Sequence, residues 1–202
     1  MKVIGLCGGS GSGKGSVGGF FTDDGIPVID TDAIYHDLIS RESPCLFELV
    51  AEFGDGIVKD GALDRRALAS IVFKSGNENK LDKLNKIAHL HILSEARRML
   101  SEYEKRGYTH AVVDAPLLFE SGFDSECDAI VSVISNKELR ISRIMARDGI
   151  DRASAERRIA SQASDEYLIG RSDYVIYNNG TLGELELVTR TVMSEIKNNF
   201  VR

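Results

Sequence analysis

Nine residues near the N-terminus, GGSGSGKGS at positions 8–16, have types and spacing that can bind phosphate. They fit the phosphate-loop signature G-x-x-x-x-G-K-[ST] at Gly8, Gly13 and Lys14, but Gly15 stands where the signature requires a hydroxyl. Glycines let the chain curl so that backbone N–H groups point at an anion. The sequence therefore predicts a nucleotide phosphate site, with Lys14 reaching the β- and γ-phosphates and one Mg²⁺ ligand missing.

Two other interpretations of this loop stay open at this point. The glycines can form a turn that binds no ligand. Residues 13–18 also read G-x-G-x-x-G, the dinucleotide fingerprint, and Asp30 ends the next strand where a ribose-binding acid would lie. That fingerprint normally starts at the strand end, whereas residues 7–12 intervene here. We therefore favour the phosphate loop over the dinucleotide site.

Carboxylates follow two predicted strands. Asp30-Thr31-Asp32 closes one short apolar run, and Asp114 closes another. Ligand crevices lie at the carboxyl ends of parallel strands, so acids there suit proton abstraction or metal binding. Asp114 has the position of the acid that helps hold Mg²⁺ in phosphate-loop enzymes. The alternatives are a helix cap at Asp30 or Thr31 beside a surface acid, and a plain strand end before a turn at Pro116.

A basic segment follows at residues 137–162, with seven basic and four acidic residues, a net +3 in a chain of net charge −6. Arg140, Arg143 and Arg147 are spaced i, i+3 and i+7 and share one helix face. Arginines on a mobile lid stabilise the charge of a transferring phosphoryl group. The alternative is a solvated face with internal salt bridges, which we favour for Arg157 and Arg158.

These residues must be positioned by alternating strands and helices. Short apolar runs predict strands at 3–7, 26–30, 111–115, 129–134 and 174–178, and the segments between them predict helices at 14–24, 32–40, 64–74, 77–106, 136–147, 151–162 and 181–199. Helix starts are indicated by Asp64, by Thr181 with Glu184, and by Ser75 with Glu78. The alternation favours an α/β fold with a parallel sheet, and about 80 residues between the second and third strands predict a helical lobe.

Bulk properties restrict the class of protein. The length of 202 residues suits one domain, and 43% apolar with 28% charged residues is ordinary for a globular protein. The acidic balance disfavours nucleic acid or an anionic membrane as a bulk partner. Three scattered cysteines, Cys7, Cys45 and Cys127, indicate reduced thiols rather than a disulfide framework or a zinc site. The sequence has no run of 18 apolar residues, so it predicts no membrane span. We expect a cytoplasmic monomer.

The order and spacing of these motifs resemble the dephospho-CoA kinase family. The resemblance runs from VIGLCGGSGSGKGSV through GIPVIDTDAIYHDL, LDRRALASIVF, VVDAPLLFESG and RISRIMARDG to SDYVIYNNGT, and so covers most of the chain. It implies a P-loop NTPase fold, a three-layer α/β/α structure with a five-stranded parallel sheet. It also implies one kinase domain, with a core at 1–35, 108–136 and 165–202, a helical CoA-binding insert at about 36–107 and a lid at about 137–164.

The resemblance implies an ATP- and Mg²⁺-dependent transfer of the γ-phosphoryl group to the ribose 3′-hydroxyl of dephospho-CoA. By motif position it makes Asp32 the base and Lys14, Arg143 and Arg147 the charge-stabilising catalytic residues. The residues that it places at ATP are Gly11, Ser12, Gly13, Lys14, Gly15, Ser16 and Asn178. Those that it places near the acceptor are Asp30, Tyr35, Arg65, His89, Leu117 and Glu120, and Asp114 is the candidate metal ligand.

The chain departs from the family pattern in the loop. The usual G-K-S-T reads G-K-G-S at residues 13–16, and Ser16 is turned by about 100° from the position it would have to replace. His89 is followed by Leu90 where the family tends to have proline. Three functions therefore remain as alternatives: a kinase for another nucleotide or nucleoside, an ATP-binding homologue weakened by Gly15, and a dinucleotide-dependent oxidoreductase.

Overall fold

A five-stranded sheet forms the centre of the computed structural model, which describes residues 1–74 and 78–199. Its strands are β1 (Lys2–Cys7), β2 (Val28–Asp30), β5 (His110–Asp114), β6 (Ala129–Ile134) and β7 (Tyr174–Tyr177), in the order β2-β5-β1-β6-β7. Strand β1 lies between β5 and β6 and is parallel to both, with Leu6 level with Asp114 and Val131. The predicted α/β fold with a five-stranded parallel sheet is confirmed.

Helices lie between these strands along the chain and after the last of them. They are α1 (Lys14–Asp23), α2 (Thr31–Ser40), α3 (Pro44–Phe53), α4 (Arg65–Val72), α5 (Glu78–Lys105), α6 (Lys137–Asp148), α7 (Arg152–Ala160), α8 (Asp165–Ile169) and α9 (Leu182–Asn199). Strands β3 (Val58–Lys59) and β4 (Ala62–Leu63) form a separate antiparallel pair. The helices α3 and α8 and the β3–β4 pair were not predicted from the sequence. Among the described residues, no helix is both long and apolar enough to cross a membrane.

The first of two compact units comprises Met1–Ile29 and Tyr103–Arg202. Its core is built from the apolar runs of the central strands, which are covered by α1 and α9. Leu6, Val112 and Val131 are fully buried in it, together with Phe21 of α1, and Ile196 of α9 is 1% exposed. Strands buried on both faces explain why the sequence shows continuous apolar runs rather than alternation. This packing fixes the carboxyl ends of β1 and β5, where the candidate site begins.

The second unit, Asp30–Glu102, has a core of its own. Its buried members are Ile39, Cys45, Leu49, Ile57, Leu68 and Val72. Helix α3 begins after Ser43, whose hydroxyl accepts a hydrogen bond from the Leu46 N–H at 3.0 Å, and Pro44 occupies the first turn. Both features favour a helix start, because proline needs no N–H partner there and the serine oxygen satisfies a free donor.

Two of the helix caps predicted from the sequence are confirmed. Asp64 Oδ1 accepts hydrogen bonds from the Arg66 and Ala67 N–H groups at 2.9 and 3.0 Å and so begins α4. At α9, Glu184 Oε2 accepts from the Thr181 N–H at 2.7 Å, and Thr181 Oγ1 accepts from the Glu184 N–H at 3.3 Å. The cap predicted at Ser75 lies outside the described residues.

Candidate active site

The glycine-rich loop joins the end of β1 to the start of α1. Gly11 and Gly13 have φ angles of +76° and +96°, which side chains rarely adopt. A Cβ at Gly11 would lie 2.7 Å from the carbonyl oxygen of Arg140. Gly13 is the N-cap of α1 and caps it with no side-chain hydrogen bond. No side-chain cap therefore competes with an anion at the start of α1, where the helix dipole favours negative charge.

Lys14 and Asp114 form an ion pair between Nζ and Oδ1 at the carboxyl edge of the sheet. Their side chains are only 16% and 11% exposed. The strand register produces this contact, because Asp114 lies level with Leu6 on β1, just before the loop that leads to Lys14. The structure thus brings together the predicted phosphate-binding lysine and the predicted metal ligand.

Gly15 lies in the first turn of α1 and faces open space. A Cβ built at this position meets no atom within 4 Å, so a larger side chain fits there. Ser16 is exposed, and its N–H donates to the Gly13 carbonyl at 3.0 Å. The Ser12 hydroxyl is buried and has no hydrogen-bond partner among the described residues. Position 15 therefore offers a metal ion only backbone atoms, as the sequence predicts.

Asn178, at the end of β7, supports the loop from the side. Its Nδ2 donates to the Ser12 carbonyl at 2.7 Å, and the residue is only 6% exposed. A Cβ on Gly13 would lie 2.0 Å from that nitrogen, so only glycine allows this approach. The side chain predicted to lie near adenine is thus used to hold the loop, and its contact with adenine stays a prediction.

Arg143, on α6, bridges the loop to two strand ends. Its Nη1 donates to the Gly11 carbonyl at 3.2 Å and to the Ser135 hydroxyl at 3.0 Å, and its Nη2 donates to the Asn178 carbonyl at 3.2 Å. Ser135 in turn donates to the same Asn178 carbonyl at 2.7 Å. The predicted lid arginine therefore reaches the loop, and its contact with phosphate remains a prediction.

Arg140 is a site residue that the sequence analysis placed on the basic face without a role. It is 4% exposed and donates to the Ser10 carbonyl at 3.0 Å, to Asp165 Oδ1 at 2.9 Å and to Gln162 Oε1 at 3.3 Å. Gln162 Oε1 also accepts from the Ser10 N–H at 2.9 Å. A Cβ on Gly9 would lie 2.1 Å from the guanidinium. Arg140 therefore fixes the tip of the loop.

Arg147 lies on the same helix but points into solvent. Its side chain is 60% exposed and bonds to its neighbour Asp148 at 2.7 Å through Nε. Asp148 also pairs with Arg158, and the two guanidinium groups, Arg147 first, lower the pKa of the Asp148 carboxyl to about 2. Among the described residues Arg147 is thus paired with a surface carboxylate, and exposed ion pairs of this kind contribute little to stability.

The remaining predicted residues of the first unit lie in the turns after β5. Leu117 is 48% exposed and Glu120 is exposed, whereas Leu118 between them is fully buried. The Ser121 N–H donates to the Leu117 carbonyl at 3.0 Å and closes the turn. Both predicted acceptor residues are therefore presented to solvent from a structured turn.

The second unit carries the other predicted residues. Asp30 Oδ1 caps α2 by accepting from the Asp32 and Ala33 N–H groups at 2.9 and 3.0 Å, so the cap considered for it is present. Asp32 is exposed in the first turn of α2, and Tyr35, three residues on, shares its face. Burial raises the pKa of the Tyr35 hydroxyl, and the charge of Arg65 opposes that shift.

Two further residues complete the placement of the predicted set. Arg65 is the exposed first residue of α4, and His89 is half-buried on α5. Across the described ranges 1–74 and 78–199, no three His, Cys, Asp or Glu side chains form a group able to hold a metal ion. A single carboxylate such as Asp114 is nevertheless a common protein ligand of Mg²⁺ when phosphates and waters supply the rest.

Comparison with known proteins identifies the family. The family model described as dephospho-CoA kinase matches residues 2–184. The chain belongs to the dephospho-CoA kinase family. It is 39% identical over 197 residues to a dephospho-CoA kinase of Corynebacterium glutamicum, covering 97% of this chain and 98% of the relative. A dephospho-CoA kinase of Fusobacterium nucleatum is 41% identical over 186 residues, covering 92% and 93%.

Solved structures support this family assignment, and a more distant one shares the fold. The dephospho-CoA kinase of Campylobacter jejuni has a TM-score of 0.72 at 25% identity and covers 98% of this chain and 100% of its own. A shikimate kinase of Acinetobacter baumannii has a TM-score of 0.53 at 14% identity, with 100% and 96% covered, which shows a shared kinase fold only. The predictions of a kinase and of the dephospho-CoA kinase family are confirmed, and the alternative nucleotide kinases are not favoured.

Proposed function

We propose that this chain transfers the γ-phosphoryl group of ATP to the ribose 3′-hydroxyl of dephospho-CoA, which gives coenzyme A and ADP in the final step of coenzyme A synthesis. The observation that carries the proposal is the glycine loop with Lys14 paired to Asp114, in a chain that matches the dephospho-CoA kinase family over residues 2–184. In the reaction a bond forms between the 3′-oxygen and the γ-phosphorus while the bond to the β–γ bridging oxygen breaks.

The loop binds the triphosphate through its backbone. The N–H groups at the start of α1 donate hydrogen bonds to the β- and γ-phosphates, and Lys14 leaves Asp114 to neutralise their charge. Arg140 and Asn178 hold the loop in its conformation through their hydrogen bonds to the Ser10 and Ser12 carbonyls. Because phosphoryl transfer depends on positioning and charge stabilisation, this preformed loop supplies much of the catalysis.

Mg²⁺ fits one side of this site. Asp114 is the carboxylate that would hold it, directly or through water, whereas Gly15 provides no side-chain oxygen. When bound, the ion neutralises charge on the β- and γ-phosphate oxygens. Separation of the Lys14–Asp114 pair frees the carboxylate for this purpose. The missing hydroxyl supports the expectation of a weakened dependence on Mg²⁺ rather than a loss of activity.

The acceptor is activated by Asp32. Its exposed carboxylate accepts the proton of the 3′-hydroxyl as the new bond forms. Arg143 and Arg147 stabilise the charge that spreads over the γ-phosphoryl oxygens. The acceptor itself is bound by the set Asp30, Tyr35, Arg65, His89, Leu117 and Glu120. These roles follow family motif position, and the placement of Arg147 on the surface beside a displaceable partner supports its assignment to a lid.

The deciding experiment measures ADP release from ATP and Mg²⁺ in parallel reactions with dephospho-CoA, AMP, CMP or no acceptor. We expect release only with dephospho-CoA, and the product should carry the phosphate on the 3′-oxygen. Release with AMP or CMP instead would assign a different nucleotide kinase. No release from a protein that still binds ATP would assign a non-catalytic homologue, and Asp32→Asn provides the inactive control with an intact phosphate loop.

A further inference from the structure

A cluster of one arginine and two aromatic rings holds the turns after β5 against α8. The turns concerned, residues 115–122, are called the acceptor loop here. The rings of Phe119 on this loop and Tyr167 on α8 meet edge to face, with centroids 5.6 Å apart and an interplanar angle of 89°. The guanidinium carbon of Arg171 lies 4.9 Å from the Phe119 centroid and 5.3 Å from the Tyr167 centroid. Both distances lie within the range of cation–π attraction.

Arg171 also has a charged partner just beyond the acceptor loop. Its Nη2 donates to Asp124 Oδ2 at 3.1 Å, in the 3₁₀ turn that follows the loop. The Asp124 side chain is 20% exposed and the Arg171 side chain 48% exposed. The Arg171 guanidinium therefore contacts the middle of the acceptor loop through the Phe119 ring and the turn after the loop through the Asp124 carboxylate. Removing it would take away the cation that lies over the Phe119 ring.

The element that carries Arg171 is itself anchored. Asp165, at the start of α8, accepts from Arg140, which in turn holds the phosphate loop at Ser10. Beyond α8, the Ser172 hydroxyl donates to the Leu168 carbonyl at 2.8 Å, and Asp173 Oδ2 accepts from the Ile130 N–H of β6 at 2.8 Å. Arg171 thus extends from a segment that is fixed to Arg140 of α6 on one side and to β6 on the other, and it transmits that fixed position to the acceptor loop.

From this geometry we infer that Arg171 is a positioning residue for the acceptor, acting through Phe119 on its loop neighbours Leu117 and Glu120. The inference rests on the proposed function, which places those two residues at dephospho-CoA. Phe119 is 8% exposed, so the ring is not itself a binding surface, and its contribution is to fix the residues on either side of it. Loss of the cluster should weaken acceptor binding and leave ATP binding unchanged.

The test compares Arg171→Ala with the wild type in steady-state assays that vary each substrate separately. We expect the KM for dephospho-CoA to rise about three- to tenfold, the size of a lost cation–π cluster, with kcat and the KM for ATP within about twofold. Arg171→Lys keeps the charge but loses the planar stack, and it should recover part of the effect. An unchanged KM for dephospho-CoA in Arg171→Ala, or an equal rise in both KM values, would overturn the inference.

A matched control exists elsewhere in the same unit. Arg106 lies 5.9 and 5.5 Å from the ring centroids of Tyr103 and Tyr108, which also meet edge to face. This second cluster precedes β5 in the chain, whereas the acceptor loop follows the carboxyl end of β5. The two therefore lie beyond opposite ends of that strand. Arg106→Ala should leave both KM values unchanged, and an increase in the acceptor KM as large as that of Arg171→Ala would also overturn the inference.

Two further measurements keep the inference testable. If Arg171→Ala shows no thermal transition and so does not fold, Tyr167→Leu is tested in its place. This variant removes the second aromatic ring of the cluster and must raise the KM for dephospho-CoA. If the wild type shows no activity with dephospho-CoA, the proposed function fails first, and the inference with it. An active wild type with an unaffected Arg171→Ala variant rejects the inference alone.

Discussion

At the scale of single residues, Gly15 is the position where this chain departs most from its family pattern. A hydroxyl is expected there, and the structure shows empty space around the position rather than a neighbour that excludes a side chain. The glycine is therefore not required by packing. It also has no left-handed φ angle to maintain, unlike Gly11 and Gly13.

We expect Gly15→Ser to lower the Mg²⁺ concentration for half-maximal activity by on the order of tenfold, because it restores one oxygen ligand. The measurement is a Mg²⁺ titration of ADP release at fixed ATP. Gly15→Ala is the matched control, since both variants remove a helical glycine at a stability gain of about 1 kcal/mol but only serine adds a hydroxyl. Equal titration midpoints for the two variants would contradict the metal role of position 15.

The cysteine thiols give a pH prediction. Burial raises the pKa of Cys45 to about 11 and that of Cys127 to about 12, and it also raises the pKa of Cys7. At pH 8 a thiol with a pKa near 12 is ionised in about one molecule in ten thousand, so alkylation of the native protein should be at least about a hundredfold slower than in denaturant. Mass spectrometry after timed iodoacetamide treatment measures this, and rapid native labelling would contradict it.

The same raised pKa values also predict how the stability of the folded protein changes with pH. Between the ordinary thiol pKa of 9.0 and the raised values, the folded state holds protons that the unfolded state has lost. The stabilising contribution is complete below about pH 9 and declines as the pH rises toward 12. Denaturant unfolding at pH 7.5 and pH 10 should therefore show lower stability at the higher pH, and Cys45→Ala should reduce that difference.

Residue spacing predicted the positions of some of these residues and could not predict those of others. The pattern placed the glycine loop, Lys14 and Asp114 at strand ends, where the structure has them, because each depends on a local motif. It placed Arg140, Arg143 and Arg147 on one helix face, but spacing does not tell which part of that face is covered. Arg140 is buried against the loop and Arg147 is in solvent, a difference that arises only from how α6 packs.

At the scale of elements, α6 and α7 form a helical pair whose inner side supports the loop. Ile141, Ile144 and Ala155 are buried between the two helices, and Arg140 projects from the same side toward Ser10. The outer side carries exposed ion pairs such as Arg152 with Glu138 at 2.7 Å. Helix α6 therefore carries one buried arginine that supports the loop, Arg140, and one exposed arginine in a surface pair, Arg147.

Substitution of these two arginines should separate stability from activity. Arg140→Met leaves Asp165 and the Ser10 carbonyl without their donor, and we expect a loss of about 2 kcal/mol, or about 5 °C in Tm. Arg147→Ala breaks only a surface pair and should change Tm by about 1 °C or less, while lowering kcat by at least about tenfold. Thermal unfolding and steady-state kinetics measure both, and an Arg147→Ala variant of normal kcat would remove Arg147 from the catalytic set.

The cap of α9 offers a test of local helix stability. Thr181→Ala removes the acceptor for the Glu184 N–H and should cost about 1 kcal/mol. Thr191 lies inside the same helix, where its hydroxyl bonds back to the Leu187 carbonyl at 3.0 Å. Thr191→Ala should therefore be neutral or slightly stabilising, because alanine has the higher helix propensity. Equal losses in urea unfolding would show that the cap contributes nothing specific.

Elements with a strong periodic pattern were predictable, and those with short or mixed patterns were not. The central strands and the long helices agree with the sequence to within a few residues. Helix α8 has five residues, too few for a periodic signal, and each strand of the β3–β4 pair has two. The start of α3 did carry a signal, in the sequence Ser43-Pro44, which a stricter use of capping rules would have found.

At the scale of the whole molecule, ligand binding should report the class of nucleotide that the chain accepts. ATP or ADP with Mg²⁺, at about a hundred times its Kd, should add about 2.7 kcal/mol to the folded state and raise Tm by about 5 °C or more. NAD⁺ at the same concentration should leave Tm unchanged, because residues 8–13 form a phosphate loop that begins a helix at Lys14. A shift with NAD⁺ and none with ATP would revive the dinucleotide-binding alternative.

The Lys14–Asp114 pair has a consequence for selectivity. The lysine charge is already matched by a carboxylate, so an inorganic anion such as sulfate would have to compete with Asp114 for Lys14. On the proposed function, a nucleotide with its own cation would replace both partners, because its phosphate would take the place of the carboxylate at Lys14 and its metal ion that of the ammonium at Asp114. We therefore expect the ion pair to act as an ion exchanger that favours a nucleotide carrying a metal ion over free inorganic anions.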